Sequence, residues 1–419
     1  MNHPDAADAT EPAAFDALVI GAGPAGSAAA TWLAQAGWSV ALIEKQDFPR
    51  RKVCGECVAA SNLPLLHALG IGAAFDALAG PELRDVRVHG AGQAITAGLP
   101  PSDNAAMPWG RALGREALDG LLLERARAAG ATVWQPWQVV SLQGGAGDWR
   151  CTLKSPVDKA PVRLQAPVLI DAHGSWESLP GDTAAPGEPP RAPVERGAAL
   201  LAFKAHFLQA DLPPGTIHVL SLDGGYGGMV VSGGGLCTVA CCIRRDHLRA
   251  LRSQRPGLSA GDAVDGWLRA QCPAVAEALA RATRQGGWLA CGPLATGRQP
   301  LASDPVFRIG NAAGEAHPIL GEGMSMALQS AALLCAQLLH DPALRRAPTA
   351  AALADCQRRY ARDWQRTFGP RMRLAAAFAH AAMHPRAAQL LMALLRHWPG
   401  LLTAGARWGG KARVAPLPA

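Results

Sequence analysis

Residues 15–44 read FDALVIGAGPAGSAAATWLAQAGWSVALIE. The apolar run Phe15 to Ile20 has strand character and leads directly into Gly21-Ala22-Gly23-Pro24-Ala25-Gly26. Ser27 to Ala34 is Ala-rich and helical in composition, Gly37 closes it, and Trp38 to Glu44 returns to strand character. Strand, GxGxxG, helix, strand and a terminal acid make a Rossmann-like dinucleotide-binding unit. Gly21 permits the tight turn, Gly23 lets the backbone approach a pyrophosphate, and Gly26 lets helix and strand pack closely. Pro24 and Ala25 open a helix whose free N–H groups and partial positive charge favour phosphate. Glu44 stands where a carboxylate can accept both hydroxyls of an adenosine ribose. FAD and NAD share that adenosine half, so this unit alone leaves the two open.

A second motif lies near the other end. Val306 to Ile309 reads as a strand and runs into GNAAGEAHPILGEGM at 310–324, followed by a long Ala/Leu/Ser helix from Ser325 to Leu339. Here the chain resembles the FAD-dependent monooxygenases and oxidoreductases related to aromatic hydroxylases, geranylgeranyl reductases and flavin halogenases. The resemblance implies that Asn311 contacts the flavin ribitol and that Gly321, Gly323 and Met324 lie against the pyrimidine end of the ring. A helix N-terminus there stabilises negative charge on reduced flavin. The family usually writes Asp where this chain has Asn311. Both motifs fit one cofactor, and that cofactor is FAD.

Three further segments carry the same resemblance. FPRRKVCGE at 48–56 is similar to a segment that passes close to the flavin in geranylgeranyl-reductase-like enzymes. It adds Arg51, Cys54 and Gly55, with Lys45 just before it, to the expected cofactor contacts. Arg115, opening an amphipathic helix that ends near Gly130, matches the family's FAD-contacting arginine, with Arg111 as the alternative. VLIDA at 168–172 leads into His173-Gly174-Ser175-Trp176-Glu177-Ser178; Gly174 joins the cofactor set, and His173 replaces a customary Asp. That replacement weakens the case for direct reduction by NADPH. NAD(P)H and a separate reductase partner therefore both stand as sources of electrons.

Composition narrows the remaining classes. Hydrophobic residues make up 49% and charged residues 17%, enough apolar material for a substantial core across two domains. The 40 Lys+Arg against 33 Asp+Glu give +7, and no basic stripe with interleaved aromatics marks a nucleic-acid reader. The ten cysteines lack the spacing of a secreted disulfide scaffold. Met1 to Pro12 has no secretory character, and no apolar run reaches membrane-spanning length, so a cytoplasmic protein without an integral membrane segment is expected. Cys54-Gly55-Glu56-Cys57 has no second ligand pair and is read as a loop, not a metal site.

The fold class expected is α/β. A discontinuous Rossmann-like FAD-binding domain takes residues 14–75, 110–185 and 288–345. A mostly antiparallel-sheet substrate domain of α+β type takes 76–109 and 186–287, and a C-terminal helical segment, 346–419, is broken at Pro370, Pro385 and Pro399. Lys204 and His206 alternate with Phe203, Ala205 and Phe207 along one strand, so they share a face that lines a pocket or meets solvent, and solvent is the preferred reading. Glu56 and His317 are the candidates for proton transfer, with Glu56 on a loop where carboxylates are usually solvated.

The leading function is an FAD-dependent monooxygenase acting on an aromatic or otherwise electron-rich small molecule. The alternatives are a reductase or dehydrogenase of an isoprenoid or polyketide intermediate, and a flavoprotein that modifies or assembles a partner protein. Trp109-Gly110 does not complete the WxWxIP signature of tryptophan halogenases, and no lysine is identified to capture hypohalous acid.

Overall fold

The computed structural model describes residues 12–157, 160–175, 179–180 and 199–413. Trp176 to Ser178 and the expected domain boundary at 185/186 lie outside the described residues. The Rossmann-like unit is a five-stranded parallel sheet ordered Phe307–Arg308, Val168–Asp171, Ala17–Ile20, Val40–Ile43, Thr132–Trp134. Its central strands are buried along their whole length, as parallel strands covered on both faces must be. One face carries the helices Pro24–Gln35, Arg115–Ala128 and Gly323–Leu339 in a single core. The other carries a four-stranded sheet, in which Trp149 packs with Trp134 and Trp137. That third layer was not foreseen, because its strands alternate apolar with exposed polar residues and carry no motif.

A seven-stranded sheet stands beside this unit, ordered Thr283–Cys291, Leu200–Leu208, Cys237–Arg244, Gly225–Val231, Thr216–Leu222, Asp85–Gly90, Gln93–Gly98. All its pairings are antiparallel except that of Thr216–Leu222 with Asp85–Gly90. Alternation gives it two distinct faces. Phe203, Ala205, Phe207, Leu220 and Leu222 pack under the helices Arg245–Gln254, Ala260–Gln271 and Pro273–Ala278. Lys204, His206, Tyr226 and Thr238 lie on the opposite face, towards the nucleotide-binding unit.

The C-terminal segment is helical, with one correction. Pro370 does not end a helix but lies inside Ala350–Met383, which Thr349 caps by accepting the Ala352 N–H at 3.2 Å. The missing proline N–H is tolerated on this exposed turn because Trp364 and Phe368 anchor the same helix in the core. Pro385 instead starts the helix Pro385–His397, and Pro399 precedes Gly400–Trp408.

Candidate functional site

Gly21 has φ +102, and a Cβ there would meet the Ala172 carbonyl oxygen at 2.6 Å. A Cβ on Gly26 would lie 1.8 Å from the Gly21 carbonyl oxygen, so helix and strand touch at the turn. Gly23 is different. A Cβ there would have only two near neighbours, Arg50 Nη2 at 3.8 Å and Arg115 Nη2 at 3.9 Å. Two guanidinium groups thus face an open space above a helix N-terminus, which is what a doubly charged pyrophosphate requires. Arg115 is held by a two-pronged bond to Asp119 at 2.6 and 2.7 Å. Glu44 is buried and accepts from the Ala22 and Gln46 N–H groups at 3.0 and 2.9 Å, with Arg50 at 3.2 Å.

The cradle opens into a cavity of about 550 Å³. Gly21, Gly23, Pro24, Ala25 and Glu44 line one end, followed by Cys54, Gly55, Arg115, Gly174 and Asn311. Gly321, with φ +61, then Gly323 and Met324 bring the N-terminus of the helix Gly323–Leu339 to the same wall. Asn311 donates from Nδ2 to Ser175 Oγ at 2.8 Å, and Ser175 donates to Glu315 at 3.0 Å. His173 bonds Asp171, which also takes Arg308 at 2.8 Å. The acid absent at 173 is therefore present two residues earlier, beneath the strand end and not in the cavity wall.

Beyond the cradle, Glu56 leaves its loop with φ +61 and turns its carboxylate into the protein. It pairs with Lys204, binds His206 Nε2 at 2.9 Å and accepts from Thr238 Oγ1 at 2.6 Å and the Arg115 N–H at 2.9 Å. Burial pushes its pKa up, but the bond from His206, the Lys204 charge and the Lys204 and Thr238 bonds together outweigh it and hold it at about 2. Glu56 is a fixed anion at neutral pH, so it cannot serve there as a proton donor.

Three comparisons bear on this geometry. A family model described as "FAD binding domain" matches residues 14–349. The chain belongs to this family. It is a flavoprotein, and the cradle just described suits the adenosine and pyrophosphate of FAD. A menaquinone reductase of Mycobacterium tuberculosis is 51% identical over 57 residues, which is 14% of this chain and only 14% of the reductase. Among solved structures, the myxobacterial chondrochloren halogenase superposes with TM-score 0.74 at 20% identity, over 88% of this chain and 83% of that one. A probable FAD-dependent monooxygenase of Pseudomonas aeruginosa gives 0.66 at 18% identity, over 90% and 99%. These likenesses show the fold.

Several expectations need correction in this flavoprotein. Glu56, Lys204 and His206 are buried together, not solvated, because the strand Leu200–Leu208 is covered on both faces. Arg51 approaches Glu116 at 3.8 Å and Lys45 is exposed; neither belongs to the cavity wall. Ala22 and Gly26 act underneath it, through the Glu44 bond and the close turn. Arg111 binds the carbonyls of Asp76, Ala79 and Gly80 and so fixes the end of the helix Gly72–Leu78. His317 stands behind the wall, its Nδ1 3.4 Å from the Tyr226 hydroxyl, and burial lowers its pKa. Two lysines, Lys52 and Lys411, do line the cavity.

A second titratable pair, His218 and His89, joins two neighbouring strands of the seven-stranded sheet. His218 shares its sheet face with Leu220 and Leu222 and bonds His89 ring to ring at 3.0 Å. Burial, with Arg87 nearby, lowers both pKa values to about 4. The unfolded chain takes up these protons first, at about 6.5. Stability from the pair is therefore complete above about pH 6.5 and is lost as pH falls towards 4. Thermal melting across this range should show the decline, and a His89→Leu, His218→Leu variant should flatten it. A slope unchanged by that variant would place the titration elsewhere.

Proposed function

We propose that this flavoprotein is a monooxygenase that hydroxylates an apolar, electron-rich substrate. The observation that carries the reading is the cavity itself, which continues from the flavin motif to a wall built by Val86, Val88, Ile217, Leu391, Leu395 and Leu402. Reduced FAD supplies two electrons, so that one atom of O2 enters the substrate in place of hydrogen and the other leaves as water. The chain's own part is to keep bulk water out and hold the acceptor in place. An apolar chamber does both, since water is the competing reactant.

The carboxylates of the wall also bear on the alternative. Reduction of a carbon–carbon double bond needs a proton donor; Glu56 is held as an anion and Glu44 and Glu315 are bonded within the protein, so that role would fall to Tyr226, Lys52 or Lys411. Of these, Tyr226 lines the cavity on the sheet face shared with Thr238, and His317 stands behind its hydroxyl. Burial keeps the Tyr226 hydroxyl protonated, so it can donate a hydrogen bond to the oxygen of a phenolic substrate and hold its ring in place.

Tyr226→Phe should lower kcat about tenfold to a hundredfold, with FAD content unchanged and KM little altered. Unchanged kcat would remove Tyr226 from the mechanism. The function is tested by a panel of apolar phenols and quinols with chemically reduced enzyme, with and without air. Product that forms only in air supports hydroxylation. Equal product without air transfers the chain to the reductase reading, and halogenated product in the presence of halide overturns both.

A further inference from the structure

The helices Pro385–His397 and Gly400–Trp408 present an unusual outer surface. Trp398 is 61% exposed, Trp408 75% and Leu390 74%, whereas their neighbours Met392 and Leu395 are buried against Val86, Val88 and Ile95. Leu394 and Leu401 belong both to this surface and to the cavity wall, and remain 43% and 44% exposed. The apolar lining of the cavity therefore runs out to the surface between the two helices.

Charge on this part of the chain has one sign. Eight Lys/Arg and no Asp/Glu follow Asp363 in the sequence. Arg386, Arg396 and Arg407 are exposed on the same two helices, and none has an acidic partner among the described residues. No helix among the described residues is long and apolar enough to cross a membrane. Short amphipathic helices that combine exposed Trp and Leu with arginines match the chemistry of an anionic lipid surface: apolar side chains enter the acyl boundary while cations meet the headgroups. A soluble acidic partner would engage the arginines but leave two tryptophans and three leucines in water.

We infer that these two helices dock the flavoprotein on an anionic lipid surface, with the cavity opening towards the acyl chains so that a membrane-dissolved substrate enters between Leu394 and Leu401. The docking face is independent of the reaction carried out at the flavin, and binding can be measured without turnover.

The test uses full-length FAD-loaded protein and sedimentation with vesicles of phosphatidylcholine alone or mixed equally with phosphatidylglycerol. The expected result is binding to the mixed vesicles at least about tenfold tighter than to phosphatidylcholine, weakening as salt rises. Trp398→Ser with Trp408→Ser should cut binding about tenfold or more. Arg396→Glu with Arg407→Glu should do the same. All four positions are exposed, and retained FAD absorbance and circular dichroism check that the variants fold. The salt dependence of the unaltered protein provides a test that needs no variant. Failure to bind mixed vesicles overturns the inference. So does binding indifferent to both salt and the paired substitutions, or retention on an immobilised acidic carrier protein in place of vesicles.

Discussion

Replacing Glu56 with alanine is expected to lower the free energy of unfolding by about 3–5 kcal/mol, the cost of leaving buried charge without its partner. The carboxylate is the common acceptor for Lys204, His206 and Thr238, and all four side chains are out of solvent. Urea denaturation of the FAD-loaded protein measures the loss. Adding Lys204→Met to the Glu56→Ala variant should recover a large part of it, because the stranded cation is removed. A loss below 1 kcal/mol, or no recovery in the double variant, would mean that the cluster is not the joint between loop and sheet described above.

The second large effect concerns the cofactor. Gly23→Asp places a carboxylate in the open space between Arg50 and Arg115, where both guanidinium groups can receive it without displacement of the backbone. The fold should survive. FAD affinity should fall at least about a thousandfold, since two charge-assisted bonds of about 1.5–3 kcal/mol each are withdrawn and a like charge meets the pyrophosphate. The unaltered protein should be yellow and release FAD, not FMN, on denaturation, while the variant should be colourless with an unchanged circular dichroism spectrum. Retained FAD would show that the pyrophosphate lies elsewhere.

The nucleotide-binding unit was legible because its constraints are local. A turn too tight for any side chain at Gly21 and Gly26 must be written as glycine at fixed spacing, and the strands on either side are fully apolar. The motif at 310–324 was legible by resemblance, and the helix it opens begins at Gly323, two residues before the expected start. The Glu56 cluster was not legible as a cluster. Its members come from positions 56, 204, 206 and 238, and only the pairing of a loop with two antiparallel strands joins them. One signal was available: two cations alternating with large apolar residues in a strand also fit a sheet buried on both faces. Arg50 was missed for a similar reason, since Arg50 and Arg51 are adjacent and only backbone direction decides which faces Gly23. The C-terminal segment was expected to be helical, but which of its leucines meet the cavity depends on the tertiary packing against Asp85–Gly90.

The reaction proposed for this flavoprotein is insertion of oxygen into an apolar substrate. Its most direct test is single turnover of the reduced enzyme with isotopically labelled O2 and a substrate selected from the phenol and quinol panel, followed by mass spectrometry of the product. The expected result is one labelled oxygen atom per product molecule and none from labelled water. Product that gains two hydrogens and no label, formed equally without O2 and matched one to one by flavin oxidation, would contradict it.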